Sequence, residues 1–484
     1  MPAFDTVIAG GTVATAADTV RCDVAIRDGC VAALGTGFEA AETIDATGLL
    51  VLPGGIDSHV HFDQPSSDGS VMADDFESGT RAAAFGGNTT VLPFALQRKG
   101  ESLRNVVTQY HAKAEGKCYV DHSFHLIVSD PTEQVLGQEL PALVADGYTS
   151  FKIFMTYADL KLDDLEILEV FSVARATGAT VMVHAESYDA IRYLTDRLER
   201  AGRTAPREHA VSRPAAVERE ATHRAISFAE LVDVPIMIVH VSSRDAMEQI
   251  KWARDRGLKV FGETCPQYIT LTAKDLEGLN MDGAKYVCSP PPRDEDSQKA
   301  IWDGIVQGVF ETFSSDHCPF HFGGTEGKQR ERGRTSFRWV PNGIPGVETR
   351  LPILFSEGVG KGRIDLNRFV ALSATNHAKF YGLDPGRGPI AVGSGADVAL
   401  WDPQRRETIR QEILHHGCDY TPWEGFEVTG WPVLTMVRGR VVTRSGELVG
   451  PIGHGAYLHR SITEHARPLG RFVTDFEPAP RLVD

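Results

Sequence analysis

Through the middle of the chain, short apolar runs alternate with stretches whose apolar positions recur at helical spacing. The strand-like runs fall at 49–61, 88–96, 120–129, 149–155, 179–185, 234–242, 258–264 and 309–316. Helical patterns lie between them, among them 163–176, 215–231, 245–255 and 295–308. Strands alternating with helices imply a parallel sheet joined by right-handed crossovers. Eight such steps predict a closed (β/α)8 TIM-like barrel rather than an open sheet.

The two ends of the chain read differently. Residues 1–52 form short β-rich runs broken by turn glycines, Gly10-Gly11, Asp28-Gly29 and Gly35. The same character returns at 390–392, 396–401, 434–437 and 440–443, the last two around Gly439. Two β-rich ends around an α/β middle predict one small β-sandwich built from both termini. The expected organisation is 1–52 and 385–450 as the two parts of the sandwich, 53–384 as the catalytic barrel, and 451–484 as a C-terminal tail. That tail is too polar for a core of its own, so it is either disordered or laid across another surface, a neighbouring subunit included.

Composition narrows the function more than the fold. At one domain per ~150 residues, 484 residues would suggest about three domains, but α/β barrels run longer than that. A formal net charge of −16 argues against nucleic acid or an anionic membrane as partner. No apolar run approaches the ~18 residues of a membrane helix. The first residues carry neither a basic nor an apolar leader region, so no signal peptide is expected. Seven scattered cysteines without a Cys-x-x-Cys pair suit reduced thiols in the cytoplasm, and Cys318, close to Asp316, is read as a small buried side chain.

The barrel makes a demand on the motifs, because chemistry in such folds sits at the C-terminal strand ends. Polar residues appear there. The first strand ends Gly54-Gly55-Ile56-Asp57-Ser58-His59-Val60-His61-Phe62, which puts His59 and His61 on one face. The fifth ends in His184, the sixth in His240, and the eighth in Ser314-Ser315-Asp316-His317. Neutral imidazoles with a carboxylate suit a zinc-like divalent ion, or a pair of them. Lys152 stands inside the apolar fourth run, where a bare ammonium is costly. Its amine could pair with an acid at the strand end. Addition of CO2 would instead make it a carbamate, an anion whose two oxygens can bridge two cations. Glu186 and His317, each next to a candidate ligand, are expected to orient ligands, and His122 and His125 to be hydrogen-bonded structural residues.

With these residues in place, the chain resembles the amidohydrolase superfamily, specifically its dihydropyrimidinase/hydantoinase branch. The resemblance runs from the Gly-Gly-Ile-Asp-Ser-His-Val-His segment to Gly430-Trp431-Pro432-Val433, nearly the whole chain. It implies a binuclear zinc site with His59 and His61 on one ion, His184 and His240 on the other, carboxylated Lys152 between them, and Asp316 completing the first ion's shell. It also implies a homo-oligomer, usually a tetramer. Tyr157, in Lys152-Ile-Phe-Met-Thr-Tyr157, matches a phenol that helps hold the oxyanion. Ser289, in Cys-Ser-Pro-Pro-Pro-Arg, and Asn342, in Pro-Asn-Gly-Ile-Pro-Gly, match positions whose backbone groups grip the ring amide.

The expected reaction is hydrolysis of a cyclic amide, a dihydropyrimidine or a 5-substituted hydantoin, to an N-carbamoyl amino acid. Asp316 would move the proton to the leaving nitrogen. Phe62 is followed by Asp63-Gln64-Pro65-Ser66, without the arginine by which dihydroorotases hold a substrate carboxylate. The loop 64–69 is polar, and 158–162 lacks aromatics, where aryl-hydantoin specialists carry bulky groups. The alternatives are an allantoinase or other cyclic imide hydrolase, a single-metal deaminase on a similar barrel, and a non-catalytic scaffold of the same fold.

Overall fold

The computed structural model describes residues 3–383 and 385–477. Its centre is a parallel barrel of β1 (Gly55–Val60), β2 (Asn88–Leu96), β3 (His125–Ile127), β4 (Ser150–Phe154), β5 (Thr180–His184), β6 (Ile236–Ile238), β7 (Val260–Thr264) and β8 (Thr312–Phe313). Each strand pairs in parallel with the next. The helices around them form because their apolar positions face the barrel, and several are capped at their N-termini by an Asp or Ser side chain. In helix Asp164–Thr177, for example, Asp163 and Glu166 cap each other's backbone N–H groups and Gly178 ends the helix at φ 76°.

The seam between β8 and β1 is held differently from the other seven. Val60 bridges His317, and the His61 N–H donates to the His317 carbonyl at 2.7 Å. Below this, the fully buried Arg350 donates to the carbonyls of Ile56 (3.1 Å) and Phe313 (2.5 Å), one on each side of the seam. Its charge is met by Asp57, 3.5 Å away. Asp57 in turn accepts from the backbone N–H of Ser315 at 3.1 Å and of His59 at 3.3 Å. A guanidinium can satisfy carbonyls on two strands at once, which a short β8 cannot do by ladder alone.

The apolar run 49–61 is two strands in two sheets rather than one. Leu50–Pro53 pairs antiparallel with Val398–Thr408, and the chain then turns at Gly54 into β1. A Cβ at Gly54 would lie 2.2 Å from Thr89, so only glycine permits this close approach. Leu50–Pro53 belongs to a seven-stranded sheet that also holds Thr12–Ala14, Thr19–Arg21, Glu427–Val437, Arg440–Arg444 and Glu447–Leu448. A four-stranded sheet of Phe4–Ala9, Asp23–Arg27, Cys30–Gly35 and Ala40–Asp45 packs on it. Ile8, Val24, Ile26 and Ile44 of the smaller sheet share a core with Val51, Val398, Leu400 and Leu434 of the larger. N- and C-terminal segments are thus hydrogen-bonded into one sheet.

The polar tail lies on its own chain. Gly455 donates to the Cys118 carbonyl, His122 to Ala456 and Leu458 to His122. Arg460 is buried at the start of the strands, donating to Ser123 Oγ at 2.9 Å and Ser150 Oγ at 2.8 Å. Further on, one carboxylate, Asp233, accepts the N–H groups of Leu469, Gly470 and Arg471. Among the described residues no helix is long and apolar enough to cross a membrane.

Candidate active site

The predicted site residues come together at the C-terminal mouth of the barrel. Phe151 and Ile153 join the core between barrel and helices, so strand alternation turns Lys152 inward. Its Nζ lies 3.4 Å from His59 Nε2 and about equally over the rings of Phe94 and Phe154, at 5.0 and 5.3 Å. Asp316 Oδ1 is 3.2 Å from His59 Nε2 and 3.6 Å from His61 Nε2. Across the same mouth His184 Nδ1 and His240 Nε2 stand 2.9 Å apart, and the His59 and His240 ring centroids are 5.3 Å apart.

The outer nitrogens explain why these rings point inward. His59 Nδ1 meets Glu263 Oε1 at 2.6 Å, His61 Nδ1 meets Gln64 Oε1 at 2.7 Å, and His184 Nε2 meets Glu186 Oε2 at 2.8 Å. With an acceptor on each outer nitrogen, that nitrogen carries the proton and the inner one presents its lone pair. Lone pairs of His59 and His61 therefore face an anionic oxygen of Asp316, which is repulsive unless a cation lies among them. This donor set fits a divalent metal: His59, His61 and Asp316 have ligand atoms within 4.8 Å of one another. Among the described residues the His240 Nδ1 has no hydrogen-bond partner.

Burial sets the protonation states. It pushes His59 and His240 well below the ordinary imidazole value, with Lys152 adding to the effect at His59. Burial also brings Lys152 down to about 8, against the pull of Asp316 and Glu263. At Asp316 burial pushes the carboxyl upward, and positive charge among the His59 and His61 nitrogens, proton or metal, holds it below its usual value.

The backbone is strained where it presents these groups. Tyr157, His240 and Asp316 have φ of 66°, 41° and 51°, in the left-handed region that non-glycine residues avoid. The positive φ takes His240 and Asp316 out of the extended ladder and aims them across the mouth. It also explains why β6 and β8 end before the sequence pattern does.

Tyr157 leans over His184, ring centroids 5.5 Å apart, and Asn342 Nδ2 donates to its hydroxyl at 3.5 Å. Ser289 also bonds the phenol, and burial raises its pKa. Tyr157, Ser289 and Asn342 thus form one cluster beside the imidazoles. Above them the polar loop is tied to its neighbours, Ser67 Oγ donating to Asp159 at 2.6 Å and Arg330 to the Asp68 carbonyl at 2.8 Å.

Some assignments differ from the sequence reading. His317 does not orient Asp316: its Nε2 bonds Asp74 at 3.1 Å, and its Nδ1 accepts from the Gly346 and Val347 backbone. Glu263, Gln64 and the Asp57–Arg350 pair were not singled out. Glu263 carried the same signal as Lys152, a charge inside a barrel strand; Gln64 carried none. His125 has both nitrogens engaged, by Ser150 Oγ and the Ser58 carbonyl, in a structural position.

Residues 50–442 match the amidohydrolase family. The D-hydantoinase of Geobacillus stearothermophilus is 47% identical over 94% of this chain and 96% of its own length. The crystal structure of dihydropyrimidinase from Brevibacillus agri superposes with a TM-score of 0.92 at 46% identity, covering 96% of this chain and 100% of that one. The L-hydantoinase (dihydropyrimidinase) structure from Arthrobacter aurescens gives 0.85 at 30% identity, over 94% of this chain and 100% of the other.

Proposed function

The chain belongs to the amidohydrolase family, and on that premise we propose that it opens the ring of dihydropyrimidines or 5-substituted hydantoins, yielding N-carbamoyl amino acids. The observation that carries this reading is the convergence of His59, His61 and Asp316 on one point, with Lys152, His184 and His240 across from it. His59, His61 and Asp316 would hold one divalent ion and His184 and His240 a second, with Lys152 carboxylated between them. The imidazole and carboxylate donors favour zinc. When bound, such ions supply a water acidic enough to act as nucleophile near neutral pH and polarise the carbonyl.

The chain's own groups do the rest. Asp316 accepts the proton of the attacking water on its carboxylate and returns it to the leaving ring nitrogen, without which an amide nitrogen departs poorly. Tyr157 Oη donates to the ring carbonyl oxygen as negative charge grows there; its raised pKa keeps that proton in place at neutral pH. Ser289 and Asn342 hold the ring amide through their backbone groups. The seven free thiols fit a cytoplasmic setting.

The test is ring opening of dihydrouracil and of phenyl-substituted hydantoin by purified protein, with a chelator-stripped control. Metal-dependent opening of either ring is the expected result, and the rate ratio tells pyrimidine from hydantoin preference. If metal-loaded protein opens neither, the reading fails for both rings and allantoin and cyclic imides are next.

A further inference from the structure

The described residues include a second fully buried lysine, Lys328, which the chemistry above does not use. It has no carboxylate within ion-pairing distance among the described residues. Its titratable neighbours are the thiols of Cys288, Cys418 and Cys318, which burial keeps protonated and neutral, and burial brings its own pKa down to about 8. A buried ammonium without an anion is costly, so what it donates to matters. Nζ donates to the Val287 carbonyl at 2.8 Å and to the Pro341 carbonyl at 3.0 Å. Val287 lies two residues before Ser289, and Pro341 immediately precedes Asn342.

The two segments so joined meet nowhere in sequence. The Gly343 N–H also donates to the Val287 carbonyl, at 3.0 Å, and Val287 and Val340 share a small apolar cluster. Gly343 itself sits at φ 148°, and a Cβ there would lie 2.2 Å from the Cys318 carbonyl oxygen. The turn that carries Lys328 is equally constrained. Its N–H donates to the His321 carbonyl at 2.8 Å, and a Cβ on Gly327 would approach that same oxygen to 2.3 Å. Two residues on, Arg330 holds the Trp339 carbonyl at 2.9 Å and the Asp68 carbonyl at 2.8 Å. One turn thereby fixes three segments around the mouth.

We propose that Lys328 is a positioning residue for the ring-amide pocket: its ammonium clamps the Val287 and Pro341 carbonyls together and so sets the spacing of Ser289 and Asn342. This rests on the reading that those two residues hold the substrate ring. Charge-assisted bonds to two carbonyls hold a spacing that a neutral side chain of similar length cannot.

Lys328→Met keeps the length and removes the donor. With the ring the wild type opens, KM is expected to rise about tenfold while kcat changes less than about threefold, the pattern of lost uniform binding. Metal content should stay at the wild-type value. Amide hydrogen exchange should quicken over 287–290 and 340–343 and stay unchanged over Ser150–Phe154. Lys328→Arg, which retains a donor, should recover part of the KM. If KM stays unchanged and only the melting temperature falls, or if metal content and kcat fall together, the proposal is overturned. Should Lys328→Met not fold, Lys328→Gln takes its place, judged by the same KM and exchange results. If the wild type opens neither ring, the functional reading fails by itself, while the exchange experiment still decides whether the clamp exists.

Discussion

Glu263 Oε1 lies 2.6 Å from Nδ1 of His59, with both side chains buried. The carboxylate of β7 thus sets the tautomer and tilt of an imidazole on β1. Its other oxygen accepts from Ser314 Oγ at 2.7 Å, and the His240 N–H lies 3.4 Å from Oε1. One carboxylate therefore touches the strand ends that supply three of the proposed ligands. Glu263→Gln keeps the shape and loses the charge. It is expected to weaken metal binding about 10–100-fold, read by competition with a chelator. At saturating metal, activity should largely return. Unchanged affinity would mean that Glu263 only fills space.

Asp316→Asn leaves an oxygen that can still face His59 and His61 but cannot take a proton. Turnover should fall about 100-fold or more, with the metal content of the variant measured alongside. A variant that retains both metals and near-full turnover would remove Asp316 from the proton transfer.

The apolar strand runs with polar ends made much of this site readable in advance. Burial forces strands apolar, so His59, His184, His240 and Asp316 stood out where the runs stopped. Helix limits were equally accessible where a cap spells them, as with Asp163 and Gly178 around Asp164–Thr177. What the pattern could not convey was conformation inside a run. The stretch 120–129 is broken into Asp121–His122 and β3, and the turn of His240 and Asp316 out of their strands depends on positive φ, which no residue type there announces. Gln64 and Arg350 were hidden for another reason. Gln64 bonds His61 only three residues back, in a loop that no strand or helix pattern marks, and only the closed barrel brings Arg350 under the β1–β8 seam.

Among the described residues Lys152 makes no hydrogen bond beyond the 3.4 Å approach to His59, although it is buried. Carboxylation would turn this isolated cation into a ligand. Protein equilibrated with zinc and 13C-labelled bicarbonate is expected to show a carbamate carbon resonance that Lys152→Arg lacks. The variant should also hold fewer than two ions per chain. A wild type that binds two ions with no carbamate signal would leave Lys152 as an ammonium and require another bridge.

Asp74 offers a stability test away from the chemistry. It accepts from His317 Nε2 at 3.1 Å and from the Gly417 N–H at 2.7 Å. Burial pushes its carboxyl up, but these partners, His317 foremost, bring it down to about 2 from 3.8. A carboxyl with a depressed folded pKa stabilises the fold above its unfolded value, and that contribution disappears as pH falls through the folded one. The window is therefore from about pH 4 down to about pH 2, and the contribution above it is roughly 2 kcal/mol. Asp74→Asn imitates the protonated carboxyl. It should cost about that much stability at pH 7, and the penalty should shrink towards zero as the wild type is acidified through the same window. Denaturant unfolding of both proteins across that range measures the difference directly. A penalty that stays constant from pH 7 to the acid end would show that Asp74 acts through shape and not through its charge.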